Sequence, residues 1–277
     1  MESDGSGDRR GSPDGNVSGA EEEFVCVERN LLALFRHLAG GRESGEVREL
    51  PGVSIASSNV DFHMFNAAFF SGPAAGLESG LAAATLHFGA RERRWAFWLC
   101  DDRLDQAARS TAQARFHRGG LNLALSHPGM MAERLLAPVR PLPALEIRPV
   151  ETAGERTAFC EINAAAFRIP FSWCRDVYDL GNLWGGAFSG YVGYARGRAV
   201  STVAAMAAAG VVGLYGVATL PDNGGRGYAE ALIRHALAKA RERHGIERTI
   251  LQACTEALPL YHRLGYRVVT RFSAYSS

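Results

Sequence analysis

One stretch constrains the fold more than any other: LYGVATLPDNGGRGYAEALIRHAL, Leu214–Leu237. It reads as an apolar strand, a glycine-rich turn and a helix. Ala229, Leu232, Ile233, Ala236, Leu237 and Ala240 recur at helical spacing and form one apolar stripe. Glu230, Arg234, Arg241 and Glu242 are expected to face away from it. Such a helix packs on a sheet, so its N-terminus lies at the C-terminal end of the strand VVGLYGVATL. Ligands gather at that end of a strand in α/β sheets.

The turn itself is bare. The first turn of any helix leaves four N–H groups unpaired. Here Gly224, Gly225, Gly227 and Ala229 carry no side chain that could shield them. Those N–H groups and the positive end of the helix dipole suit a phosphate or pyrophosphate, and Arg226 adds a charge. Taken alone, the same turn is equally consistent with a purely structural role. Two phosphate motifs fit poorly. The Gly-Lys-Ser/Thr of a P-loop is absent. GRGYAE lacks the third glycine of a dinucleotide fingerprint, and its strand comes late in an antiparallel-looking run.

The order of elements points to an α+β (mixed α/β) architecture. FVCVERNLLALFRHLAG has apolar residues at helical spacing from near Phe24. A strand follows at GVSIASSN, and HMFNAAFF could be strand or helix. GLESGLAAATLHFGA is a helix, RWAFWLC a buried strand, LDQAARSTAQARFHRGG a helix, and GMMAERL a further short piece. LAPVRPLPALEIRPV holds four prolines and reads as a linker, with a boundary near Pro143. Beyond it come a strand at LEIRPV, a helix at ERTAFCEINAAAF, three strands from SGYVGYA to GVATL, and the helix from about Gly227 to His244. ERTILQAC is a strand, PLYHRLG a short helix, and YRVVTRFSAY a last strand.

Composition excludes several classes. The net charge of +1 gives no field favouring nucleic acid or an anionic membrane. The five cysteines form no CxxC pair, so no zinc site or disulfide framework is indicated, and isolated cysteines fit a reducing cytoplasm. No apolar run is long enough to span a bilayer. Residues 1–20, rich in Gly, Ser, Asp and Pro, lack an apolar signal region and are expected to be a structureless tail.

A second motif lies downstream. Tyr261–Tyr266 reads YHRLGY, a Tyr-x-x-x-Gly-Tyr element at the start of the last strand. Together, VATLPDNGGRGYAEAL and PLYHRLGYRVV resemble the GNAT superfamily of acyl-CoA-dependent N-acyltransferases in motif order and spacing. The resemblance covers about 144–277. It implies a GNAT fold with a central, mostly antiparallel sheet flanked by helices. It also implies acetyl-CoA as co-substrate, no metal, and direct attack by an amine in a ternary complex.

Residue by residue, backbone groups of Val217, Ala218 and Thr219 would meet the pantetheine arm. The turn from Gly224 through Gly225, Arg226, Gly227, Tyr228 and Ala229 would hold the pyrophosphate. Tyr261 would protonate the leaving thiolate. Two departures stand out: Gly224 replaces the family's Arg or Gln, and VVGLYGVATL lacks the carboxylate many members use as general base.

Residues 21–143 resemble, more distantly, the degenerate first half of two-part GNAT proteins, through PGVSIASSNVDFHMFNAAFF and HPGMMAERL. They are expected to bind no CoA and to shape the acceptor pocket, leaving 144–277 as the acetyltransferase domain. The implied partner is a small-molecule or peptide amine, with no nucleic acid and no membrane; a homodimer is compatible. The competing readings are a non-catalytic acyl-CoA-binding module and a nicotinamide- or flavin-binding protein. Tyr261 has a structural alternative as a core tyrosine with its hydroxyl paired. His63, near Asp61 and Asn66, reads as a surface or core histidine. Glu256 and His262 read as solvent-facing, and Cys254 as an inert thiol. Trp173 and Trp184 read as acceptor-site or core residues.

Overall fold

The computed structural model describes the backbone of residues 15–277 and side chains from Glu23 onward. The expected tail lies outside the described residues over 1–14, and from Gly15 the backbone is helical. The first half contains α1 (Gly15–Gly40), β1 (Glu46–Leu50), β2 (Val53–Ser57), β3 (Asn66–Phe70), α2 (Leu77–Gly89), β4 (Ala96–Cys100), α3 (Gln106–Arg118) and β5 (Asn122–Ala132). After the proline-rich linker come β6 (Glu146–Pro149), α4 (Ala153–Phe167), α5 (Phe171–Tyr178), β7 (Phe188–Ala195), β8 (Arg198–Ala208) and β9 (Val211–Thr219). The chain then runs through α6 (Tyr228–His244), β10 (Thr249–Gln252), α7 (Leu258–Leu264) and β11 (Arg267–Ser276).

The strands form one sheet in the order β1-β2-β3-β4-β11-β5-β10-β9-β8-β7-β6. Neighbours are antiparallel except at β3–β4 and β9–β10. The two parts of the chain interleave: β11 lies between β4 and β5, and β5 also pairs with β10.

Helices cover both faces, which explains the near-continuous apolar runs of the inner strands. In β4, Ala96, Trp98 and Cys100 pack toward α1, while Phe97 and Leu99 pack toward α2 and α3. In β10, Ile250 faces the layer of α1 and α4, and Leu251 the layer of α6. Helix α1 runs under the middle of the sheet. Its fully buried Asn30 donates to the carbonyls of Met206, Ala208 and Val211 at 2.9–3.2 Å and accepts from the Tyr215 hydroxyl at 2.7 Å.

Two expectations need correction, and one strand had no reading. GMMAERL is no isolated piece: most of it closes the eleven-residue strand β5. Pro128 sits inside that strand because its carbonyl accepts from Ala253 at 3.1 Å just past the last β10 pair, Gln252–Gly129. Its missing N–H therefore faces the place where β10 has already left the sheet. The polar edge strand β1 gave no apolar alternation to read. Finally, Glu230 does not face solvent. It is only 3 % exposed, clasped at 2.8 Å by Arg234, which also donates to the Leu136 carbonyl of the linker at 2.8 Å.

Candidate functional site

The site is built around a fork in the sheet. Strand β9 pairs with β10 only at Val212, Gly213 and Leu214, but with β8 as far as Thr219. From Tyr215 onward, one edge of β9 faces no strand among the described residues. A bulge reinforces the divergence: Gly216 and Val217 stand opposite the single Val203 between the pairs Ala204–Tyr215 and Thr202–Ala218. Gly216 takes φ +53°, a conformation natural to glycine. The bulge is held from outside the strand. Asn163 of α4 donates to the Thr202 hydroxyl at 3.0 Å, and that hydroxyl donates to the Gly216 carbonyl at 2.9 Å. Ser201 donates to the Ala218 carbonyl at 2.7 Å and lies 2.8 Å from the Thr219 hydroxyl.

At the end of β9 the chain turns into α6. Gly227 caps the helix with φ +85° and offers no side-chain cap. The Gly224 N–H is spent on the Pro221 carbonyl at 3.2 Å. The N–H groups of Gly225, Arg226, Gly227, Tyr228 and Ala229 have no acceptor among the described residues. This is the geometry of an anion cradle at a helix N-terminus. Arg226 turns back to the Asp222 carbonyl at 3.3 Å. A second guanidinium, that of Arg140 in the linker, donates to the Gly225 carbonyl at 3.3 Å. The proline-rich segment, read only as a spacer, thus delivers a positive charge to the cradle.

Tyr261 lies on α7, on the sheet face that carries α6, 5 % exposed and edge-on to Tyr266 at 5.7 Å. Its hydroxyl has no hydrogen-bond partner among the described residues. Tyr266 beside it, by contrast, pairs with Thr249 at 2.9 Å. Burial raises the Tyr261 phenol well above its ordinary value and, more modestly, raises the Cys254 thiol.

On the opposite face, against α1 and α5, the fork opens into a cavity of about 310 Å³. Tyr215 and Gly216 of β9 and Gln252 of β10 line its inner end. Both parts of the chain wall it: Phe35, Phe62, Phe65 and Trp98 from the first, Trp173 and Tyr178 from the second. The rings of Phe62 and Trp173 stack on each other in its wall, 4.8 Å apart and 19° from parallel.

Trp173 therefore sits in the cavity, while Trp184 belongs to the core, stacked on Phe188 and bonded to the Tyr178 carbonyl at 3.0 Å. Asn66 is structural, donating to the Val60 and Arg94 carbonyls at 2.8 and 3.0 Å. His63 does not line the cavity. Glu256 and His262 are exposed. The sequence reading gave no role to His127, although it opens the quoted stretch HPGMMAERL, nor to Gln252; only the pairing of β5 beside β10 brings them to one cavity. No group of His, Cys, Asp and Glu suited to a metal ion occurs among the described residues, and no helix there is long and apolar enough to cross a membrane.

Residues 151–266 match the model of the acetyltransferase (GNAT) family. The whole chain is similar in structure to a GCN5-related N-acetyltransferase from Kribbella flavida, with a TM-score of 0.65 and 18 % identity over 96 % of both chains. A GNAT-family acetyltransferase structure from Novosphingobium aromaticivorans aligns at a TM-score of 0.54 and 18 % identity, over 91 % of this chain and 97 % of the other. A GCN5-related N-acetyltransferase from Sphaerobacter thermophilus aligns at 0.52 and 18 %, over 82 % and 76 %. At these identities the likeness establishes the fold. No curated protein sequence matches the chain.

Proposed function

We propose that this chain, whose residues 151–266 match the acetyltransferase (GNAT) family model, moves an acetyl group from acetyl-CoA to an amine. The observation that carries the reading is the alignment of three features along one path. These are the open N–H cradle at α6, the forked edge of β9, and the Tyr261 hydroxyl, unpaired among the described residues on a side chain only 5 % exposed.

The pyrophosphate would take the N–H groups of Gly225 to Ala229, with Arg140 and Arg226 neutralising charge. Gly224 contributes shape rather than a donor, since its N–H is already used. The pantetheine arm would lie along the free edge of β9 at Val217 to Thr219, as an added strand would. There the Val217 amide, which stands in the bulge, would face the thioester carbonyl.

The amine nitrogen attacks that carbonyl carbon. The oxyanion forms against the amide donor, and the C–S bond breaks with the electron pair leaving on sulfur. Tyr261 then protonates the sulfur. Burial keeps the phenol protonated, and it also raises the basicity of a thiolate formed beside it, as the raised Cys254 thiol illustrates. Positioning two substrates at the fork supplies much of the acceleration.

Two measurements test the reading together: a thermal shift of the protein with CoA and release of free CoA–SH with amines. Stabilisation by CoA with amine-dependent release supports it. Stabilisation without release for any amine favours the non-catalytic acyl-CoA-binding module. Stabilisation only by a nicotinamide or flavin overturns it.

A further inference from the structure

The cavity on the α1/α5 face carries information about the acceptor that no motif holds. Its walls are aromatic and aliphatic, and no Asp, Glu, Lys or Arg lines it. Phe167, also lining it, is 50 % exposed and offers an apolar surface for entry. A ligand with several charges would have to shed water there without a counter-ion.

The polar groups at the inner end are few. The Tyr215 hydroxyl is committed to Asn30, and the Asn163 amide to Phe159 and Thr202. Two groups remain. The Gln252 Nε2 atom is buried and has no hydrogen-bond partner. The His127 imidazole makes no hydrogen bond among the described residues. Gln252 stands opposite Gly129 on β5, so His127, two residues along the same face, is its diagonal neighbour. Both line the cavity beside Tyr215 and Gly216, where the fork opens.

We propose that this cavity takes a primary monoamine carried on an aromatic or similarly apolar body, its nitrogen set between His127 and Gln252 and its proton passed to the His127 imidazole. The proposal rests on the acyl-transfer reading above. It also supplies the base that VVGLYGVATL lacks, from the half of the chain without a cofactor motif. For the amine bound as the free base the proton balance closes: His127 accepts the proton the nitrogen loses as it bonds to the thioester carbon, and Tyr261 gives one to the departing sulfur. His127 must be neutral to do this. Burial lowers its pKa, the Glu256 carboxylate raises it, and the Arg271 guanidinium of β11 lowers it; burial is the largest of the three. The protein thus favours the form that can accept.

The test separates binding from turnover. Calorimetry on the full chain, with and without CoA, compares 2-phenylethylamine with spermidine. We expect 2-phenylethylamine to bind at least about tenfold more tightly, and Trp173→Ala to lose most of that preference through the missing aromatic wall. Should Trp173→Ala misfold, Phe62→Leu removes the stacked pair more gently. Equal or tighter binding of spermidine, or a preference untouched by both variants, overturns the acceptor class even if acetyl transfer is real. So does tighter binding of octanoyl-CoA than acetyl-CoA that Trp173→Ala abolishes, since the cavity would then hold the acyl chain. For His127→Gln we expect kcat to fall about 100-fold, KM to change less than threefold, and the acidic limb of the kcat/KM profile to disappear. Persistence of that limb, or binding of the arylalkylamine without any turnover by the wild type, overturns the role of His127.

Discussion

Gly216 and Phe159 approach so closely that a Cβ on Gly216 would lie 2.8 Å from the Phe159 ring. The positive φ at Gly216 and its carbonyl bond from Thr202 fix the same point. Gly216→Ala is expected to cost about 2 kcal/mol or more from backbone strain alone, and to reduce acetyl transfer further by closing the bulge. Thr202→Val removes a buried hydroxyl that serves two partners and should cost about 1–3 kcal/mol. Denaturant midpoints measured beside CoA affinity check both. Wild-type stability in Gly216→Ala would contradict the packing described.

Removing one oxygen from Tyr261 leaves its ring and its contact with Tyr266 in place. Tyr261→Phe should lower kcat by about 100-fold or more while the dissociation constant for CoA stays within about twofold. Stopped-flow release of CoA–SH reads the first quantity and calorimetry the second. An unchanged rate would return Tyr261 to the core residues.

The cradle can be filled from within. A Cβ on Gly227 would already lie 3.3 Å from Pro143, and Gly227→Glu adds a negative charge where phosphate is expected. CoA binding should be lost in that variant. Arg140→Ala leaves the turn intact and should weaken CoA about fivefold, less so at high salt, as an exposed charge-assisted contact does. Unaltered affinity in Gly227→Glu would remove the pyrophosphate from α6.

One prediction concerns the whole molecule. Burial is the leading cause that lowers the pKa of His63, His87, His127 and His235. Each is more readily protonated in the unfolded chain, near pH 6.5, than in the folded one. Their contribution to stability is therefore complete above that pH and is lost as pH falls through their folded values. The urea midpoint should drop between pH 7.5 and pH 5.5, and a rise over that interval would contradict the burial of these rings.

The local grammar of the chain was readable wherever one element carried its own pattern. The stripe of α6, the strand of β9 and the turn between them follow from spacing alone, and the pair of motifs at Gly225 and Tyr261 placed the fold. What could not be read depends on distant partners. Glu230 looked solvent-facing until Arg234 and the Leu136 carbonyl closed over it. His127 precedes a proline in a stretch with little alternation, and only its neighbours β10 and β11 give it a role. Asn30 lies in a helix read only for its apolar spacing, yet it secures the hairpin of β8 and β9 through four hydrogen bonds.

The position of β11 has a consequence for how the molecule is made. It is the eleventh strand in chain order and the fifth in the sheet. While a nascent chain is still without it, β4 and β5 each present an open edge at what will become the centre of the protein, a site prone to pairing with other chains. Closing the sheet joins segments more than a hundred residues apart, a slow kind of folding step. The same late strand lays Phe272 against the cavity beside His127. The cavity is thus finished only when the sheet is.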